Sequence, residues 1–379
     1  MLFSELVEEL QNHLYLIILS YTLSLRAKRS NPVLGGIATA FGLAMTQPMD
    51  TPQTKRKKVV TIGGGTGHFT VLTGLKKYDL DISAIVNMVD DGGSTGVLRH
   101  ELGVLPSGDV RQCLVALSEA PEVLRDLFLY RFGIGSFTGH NFGNIFLSAL
   151  QKVTNRFEDA VTVAGKILNI KGKVIPVTVE PMTLMAEYEN GKILKGEDKI
   201  ANYKKDKIKK VYLERDVHAS YEAVQAILGA DLVVLSPGDL YTSLVPNLLS
   251  FGITEALRRT SAKIAYVVNL MTKSGETDGF GAYDFVSALE QYLGVNVIDY
   301  ILINAQTPTA DMVELYKQES EFIVNPDLEK FNSTRYKVIV ADFLSHIVFE
   351  KNTSDKLKRS ILRHDGDKIA RALLNLIAL

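Results

Sequence analysis

Two apolar runs that each open directly into a glycine cluster constrain this chain more than any other feature. Val59-Val60-Thr61-Ile62 leads into Gly63-Gly64-Gly65-Thr66-Gly67, and Ile82 to Val89 leads into Asp90-Asp91-Gly92-Gly93-Ser94-Thr95-Gly96, with Pro106-Ser107-Gly108-Asp109 following. Each cluster stands after a buried-strand pattern and before a helical one. In an open α/β sheet that is where backbone N–H groups and a helix N-terminus meet a phosphate. Glycine suits the place because a backbone without Cβ reaches positive φ and approaches a pyrophosphate closely enough to hydrogen-bond it. As a dinucleotide fingerprint the first cluster is imperfect, since His68 stands where the third glycine belongs. A P-loop is excluded, because no Lys-Ser or Lys-Thr pair closes a correctly spaced glycine loop. Tight turns between strand and helix are the plain alternative for either loop, and two in succession favour a phosphate cradle.

The rest of the chain continues the pattern. Phe69, Leu72 and Leu75 recur at helical spacing after the first loop, so strand, loop, helix and strand form a βαβ start. Val110 to Ser118 and Val123 to Phe132 read as helices, the first with Asp109 as a candidate N-cap. Further helices are expected over Asn144 to Val153, Phe157 to Leu168, Glu222 to Leu228 and Asp367 to Ile377, and further core strands over Asp231 to Leu235, Lys263 to Leu270, Ile298 to Ile303 and Lys337 to Ala341. Between about 174 and 214 the texture changes to alternating strand patterns, an Asn190-Gly191 turn and Lys-rich stretches, which read as an antiparallel insertion. The expected fold is therefore a Rossmann-like, doubly wound, mostly parallel α/β sheet over 57–379 with a small antiparallel β insertion.

Composition excludes several classes. Lys and Arg number 42 against 43 Asp and Glu, giving a net charge of −1, so the field that non-specific nucleic-acid binding needs is missing. The single cysteine, Cys113, allows no intrachain disulfide and fits a reducing cytoplasm. Leu14 to Leu25 is apolar but too short to span a membrane, and Glu5, Glu8 and Glu9 precede it where a signal peptide carries positive charge. Residues 1–56 are expected to be an extension, disordered or lying ahead of the true start, with Met45 and Met49 as alternative initiators and no stable membrane anchor.

Chemistry-bearing side chains gather at the strand ends. Asp90 and Asp91 can accept hydrogen bonds from ribose hydroxyls or hold magnesium, and Ser94 and Thr95 add hydroxyls to the same mouth. Ser107, Gly108, Asp109 and Arg111 can orient a base or second phosphate, or serve only as a helix cap and a surface pair. His140, in His140-Asn141, is a phosphate ligand or acid–base group, or else a buried structural histidine. Pro237, Gly238, Tyr241, Thr242 and Ser243 bring hydroxyls to a turn ahead of a helix, a second phosphate or sugar site. Asn269, Thr272, Glu276 and Thr277 follow another core strand and suit sugar hydroxyls. Tyr316 and Arg363, far away in sequence, have the groups that stack on a base and pair with a diphosphate. HExxH, GxSxG and paired CxxC motifs are absent, so the common zinc and nucleophile-elbow chemistries have no support.

The motif order GGGTG, DDGGSTG, PSGDVRQ, GHNFGN, SPGDLYTSLVPNLL and NLMTKSGETDG resembles the bacterial gluconeogenesis factor family, the YvcK-like branch of the CofD superfamily, from about Lys57 to the C-terminus. The resemblance implies a cytoplasmic protein that binds a UDP-sugar such as UDP-N-acetylglucosamine or UDP-glucose and supports cell shape and growth on gluconeogenic carbon. It also places His140 beside the nucleotide pocket, with Asn144 joining it. This chain departs from the family pattern at Ser236 and Asp239, and the added carboxylate weakens that loop as an anion site. The alternative is the superfamily's other branch, 2-phospho-L-lactate transferases acting on a deazaflavin precursor. Magnesium, held by Asp90 and Asp91, enters only with that alternative, and self-association is left open. A nicotinamide dehydrogenase rests on fold analogy alone.

Overall fold

The computed structural model describes residues 56–345 and 362–377. The expectations for Leu14 to Leu25 and for Met45 and Met49 lie outside the described residues. Seven strands form one sheet: β1 (Lys57–Gly63), β2 (Leu80–Val86), β3 (Lys173–Pro176), β7 (Leu232–Leu235), β8 (Lys263–Val267), β9 (Tyr300–Asn304) and β10 (Lys337–Ala341). Every pair in it is parallel, and the spatial order is β3-β2-β1-β7-β8-β9-β10. Helices cover both faces, so the central strands are buried on both sides and read as unbroken apolar runs; all four residues of β7 are buried.

The chain builds outward from β1 to β3, returns to the other side of β1, and builds outward again from β7 to β10. The order therefore reverses between β1 and β7, the switch point at which open α/β sheets take ligands. Val59 pairs with Leu232 and Ile62 with Leu235, and the Ser236 N–H extends the pairing to the Ile62 carbonyl at 2.9 Å. Helix α1 (Gly65–Leu75) leaves β1 on one side of this point. On the other, the chain after β7 makes a wide π turn (Leu240–Leu244) running into a short helix (Val245–Leu248).

The insertion is smaller than its sequence texture suggests. Lys173–Pro176 pairs in parallel with Ser83 to Val86 of β2 and is the edge strand of the main sheet. The antiparallel sheet is confined to β4 (Leu184–Tyr188), β5 (Ile193–Lys195) and β6 (Ile208–Leu213), with β4 in the middle and Leu184, Ala186 and Tyr188 turned inward. Val174 and Ile175 are buried against the main core, and this burial rather than alternation decides their pairing. The C-terminal helix α13 (Gly366–Ile377) packs on α1 so tightly that a side chain on Gly74 would overlap the Gly366 carbonyl.

Candidate functional site

The first loop is built on close approach. A Cβ on Gly67 would lie 2.6 Å from the carbonyl carbon of Pro237, so the start of α1 rests directly on the loop after β7. Gly67 thus performs the close packing that a dinucleotide fingerprint assigns to its third glycine. His68 lies buried beneath, its Nε2 2.7 Å from the Thr61 hydroxyl and its Nδ1 3.6 Å from the Cys113 sulfur. Burial holds its imidazole down to a pKa of about 3, so it is a neutral core residue. Gly65 has φ +66°, and a Cβ there would face open space with the Ser243 hydroxyl 3.8 Å away. Of the four glycines in the loop Gly63 to Gly67, Gly65 faces the open space, while Gly63, Gly64 and Gly67 are packed against Ser236, Asp109 and Pro237.

Asp109 behaves differently from the expected N-cap. Ser107 holds the cap position of helix α3 (Gly108–Leu117), and the Asp109 carboxylate reaches back across the crevice. Its Oδ1 accepts the Gly65 N–H at 3.1 Å and its Oδ2 accepts the Asn87 amide at 3.0 Å. An internal carboxylate therefore occupies the first N–H of the cradle. Burial raises the Asp109 pKa, while the Gly65 N–H, Asn87 and Arg111 pull it the other way. Asn87 also donates to the Ser243 carbonyl at 3.1 Å, linking the second loop to the chain after β7.

In the second loop the paired carboxylates part company. Asp90 Oδ1 accepts the Gly92 N–H at 3.1 Å, and its other oxygen leaves no room for a side chain on Gly108. Asp91 turns toward the antiparallel sheet, where its Oδ1 accepts the Asp198 N–H at 2.8 Å. Among the described residues no three or more His, Cys, Asp or Glu side chains converge so as to hold a metal ion. The two carboxylates face different partners, and magnesium at Asp90 and Asp91 stays with the transferase reading. Burial first, then the Asp109 charge, lifts Asp90 to a pKa of about 6.

The residues around α2 (Gly93–Leu102) and α5 (Phe142–Thr154) form a connected polar network. Ser94 Oγ lies 3.2 Å from His140 Nδ1 and accepts the Asn141 N–H, and Asn141 caps α5 by accepting the Asn144 N–H. Asn144 donates to the Thr95 hydroxyl at 3.2 Å and accepts from Arg111 Nε at 2.9 Å. Arg111 is buried and turned inward, toward Asn144 and the Phe128 carbonyl, so it positions Thr95 rather than facing a ligand. Gly143 permits this, since a Cβ there would lie 2.6 Å from Arg111 Cδ.

Across the crevice, Glu276 clasps the π turn: its Oε2 accepts the Tyr241 N–H at 3.2 Å and its Oε1 accepts the Thr242 hydroxyl at 3.0 Å. Burial, then the Asp239 charge, lifts Glu276 to a pKa of about 8. Asn269 donates to the Gly238 carbonyl at 2.7 Å and fixes the Pro237-Gly238 turn. Thr272 and Thr277 are loop-building residues: Thr272 Oγ1 accepts the Phe322 N–H, and Thr277 Oγ1 accepts the Lys273 N–H. Tyr316 is 8% exposed, packs with Leu270, Leu344 and Leu362, and accepts the Leu362 N–H at 2.8 Å, so its ring is core and not a stacking platform. The Arg363 carbonyl accepts the Ser345 N–H, and neighbouring His364 reaches the Val268 carbonyl at the end of β8.

Asn87, Asn247, Glu197 and Lys273 belong to the crevice without having been expected there. Asn87 interrupts the apolar run Ile82 to Val89, which is a readable signal. Asn247 donates to the carbonyls of Gly63 and Ser243. Glu197 comes from the helix Glu197–Ala201 beside β5, and burial followed by Asp90, Asp109 and Glu276 raises its pKa. A separate surface hollow of about 330 Å³, lined by Lys263, Asp299, Tyr300, Arg335 and Lys337, lies at the N-terminal ends of β8, β9 and β10. It sits on the edge of the sheet opposite to the one that takes ligands in open α/β folds, and we do not assign it as the site.

These features define a doubly wound α/β protein with a glycine-lined, carboxylate-rich crevice at its switch point. Residues 59–344 match the family described as 2-phospho-L-lactate transferase CofD, and the chain belongs to that family. It is 41% identical over 314 residues to a putative gluconeogenesis factor of Thermotoga maritima, covering 83% of this chain and 97% of the relative. It is 38% identical over 325 residues to the gluconeogenesis factor of Bacillus subtilis, covering 85% and 99%. A crystal structure of a UPF0052 family member from Bacillus halodurans superposes with a TM-score of 0.79 at 38% identity, over 84% of this chain and 99% of that one. No described helix is long and apolar enough to cross a membrane.

Proposed function

We infer that this protein is a UDP-sugar-binding gluconeogenesis factor, a regulator of cell shape and of growth on gluconeogenic carbon acting in the cytoplasm. The observation that carries the reading is the switch-point crevice itself, where the glycine loops after β1 and β7 approach so closely that Gly67 can carry no side chain against Pro237. Backbone N–H groups there suit a diphosphate. The carboxylate of Asp90 suits sugar hydroxyls, because a carboxylate accepts and does not donate when ionised, while Asp109 and Glu276 hold Gly65, Asn87 and the π turn in place. Calorimetric titration with UDP-N-acetylglucosamine, UDP-glucose, NAD and GTP tests it: saturable binding of a UDP-sugar is expected, and binding of NAD with none of a UDP-sugar overturns it. Sedimentation of the same sample with and without ligand reports self-association.

The family description favours a second reading, a phospholactyl-type transferase. Incubation with a phospholactyl nucleotide, a deazaflavin acceptor and magnesium, read by mass spectrometry, separates the two. Product formation supports the transferase; nucleotide-sugar binding with no product supports the regulator.

A further inference from the structure

We propose that Lys273 is the cationic partner of the ligand's diphosphate, swinging to it from the two carboxylates that hold it in the free protein. The proposal rests on the UDP-sugar reading and names the charged contact that reading needs. A diphosphate brings two negative charges to a crevice that already carries Asp90, Asp91, Asp109 and Asp239, and the cradle's first N–H is taken by Asp109. Backbone dipoles alone must work against those like charges. A cation that reaches the loop after β7 from the loop after β8 resolves the conflict.

The cations flanking the crevice are otherwise committed. Arg111 donates to Asn144 and to the Phe128 carbonyl, and Arg99 donates to the Met182 carbonyl. Lys273 is held more loosely. Its ammonium lies 4.0 Å from Asp239 Oδ2 and 3.7 Å from Glu321 Oε1, ion-pair distances that are longer than hydrogen bonds. Asp239 follows Gly238, whose added Cβ would lie 3.0 Å from the Gly64 carbonyl, so this ammonium is tethered beside the glycine loops.

The base of the arm is fixed by backbone hydrogen bonds, and its end is held by the two carboxylates. The Lys273 N–H donates to Thr277 Oγ1 at 2.8 Å, and the Lys273 carbonyl accepts the N–H groups of Glu276 and Thr277. Gly275, at φ +88°, presses this turn against the Tyr203 and Lys204 backbone. A fixed backbone with a four-carbon stem delivers the charge to a defined place at little entropic cost. The neighbouring Asp239 charge, opposed by burial, raises the lysine pKa, so the group stays protonated at neutral pH.

The test titrates UDP-N-acetylglucosamine into wild type, Lys273→Met, Glu321→Gln and the double variant at low and moderate salt, with thermal melts as folding controls. Methionine keeps the packed stem and removes only the charge. Lys273→Met is expected to weaken binding by about tenfold or more and to flatten its salt dependence. Glu321→Gln, which releases the lysine, is expected to tighten binding several-fold in the wild-type background and not in the Lys273→Met background. A general field effect of removing Glu321 would persist in both. If wild type and Lys273→Met bind within twofold of each other, or if the Glu321→Gln gain survives in the double variant, the assignment of Lys273 is overturned and the UDP-sugar reading stands. If the wild type binds no UDP-sugar, both are overturned.

Discussion

Replacing Glu276 by glutamine should flatten the dependence of stability on pH. Glu276 is 3% exposed, accepts from Tyr241 and Thr242, and is lifted by burial and by Asp239 from 4.5 to a pKa of about 8. In the unfolded chain the same carboxyl ionises near its ordinary value. Between the two values the native state holds a proton that the unfolded state has lost, so stability falls as pH rises through that window and the loss is complete above the native pKa. Each pH unit in the window is worth at most about 1.4 kcal/mol. The value of about 8 already includes the opposing Lys273 charge and the two hydrogen bonds, so the full window is worth at most about 5 kcal/mol. Glutamine cannot ionise and resembles the protonated acid in shape. Urea denaturation followed by circular dichroism at pH 5, 6, 7, 8 and 9 should show the variant near or slightly below wild type at pH 5 and clearly above it at pH 9. Parallel stability curves for the two proteins would refute the reasoning, because they would mean that Glu276 ionises in the native protein as it does in the unfolded one.

Gly67→Ala places a methyl group 2.6 Å from the Pro237 carbonyl carbon, against the Pro237-Gly238 backbone; thermal and urea melts should show a loss of about 1–3 kcal/mol, with weakened UDP-sugar binding. Asp109→Asn keeps an acceptor for the Gly65 N–H and removes a negative charge from the cradle, so calorimetry should show UDP-sugar binding tightened several-fold; weakened binding by a folded protein would make Asp109 a ligand contact instead. Tyr316→Phe removes the hydroxyl that accepts the Leu362 N–H, which should lower stability by about 1 kcal/mol and leave UDP-sugar affinity unchanged.

The parallel sheet was legible because its central strands are buried on both faces and so appear as unbroken apolar runs; the edge strand Lys337–Ala341 is only partly buried, and its apolar run Val338 to Ala341 still marks it. The pairing of Val174 and Ile175 was not, since a short apolar run is compatible with either sheet and only the neighbouring β2 decides. At the site, the glycine loops could be read from local conformation. Side-chain directions could not. Asp109 looks like a helix cap in sequence, yet it bonds a backbone N–H 44 residues away because Gly64 leaves its carboxylate room. Arg111 looks like a ligand contact and turns inward because Gly143, on another helix, has no side chain to stop it. Tyr316 has the chemistry of a stacking residue, but its burial against Leu344 and Leu362 depends on segments meeting in space.

The central claim is that a nucleotide sugar lies at the switch point between β1 and β7. A crystal structure of the protein with UDP-N-acetylglucosamine tests it most directly. Diphosphate density is expected within hydrogen-bond distance of the backbone N–H groups of Thr66 and Gly67, with the loop from Pro237 to Ser243 on its other side. Density in the basic hollow of Lys263, Arg335 and Lys337, with the crevice filled only by water, would contradict it.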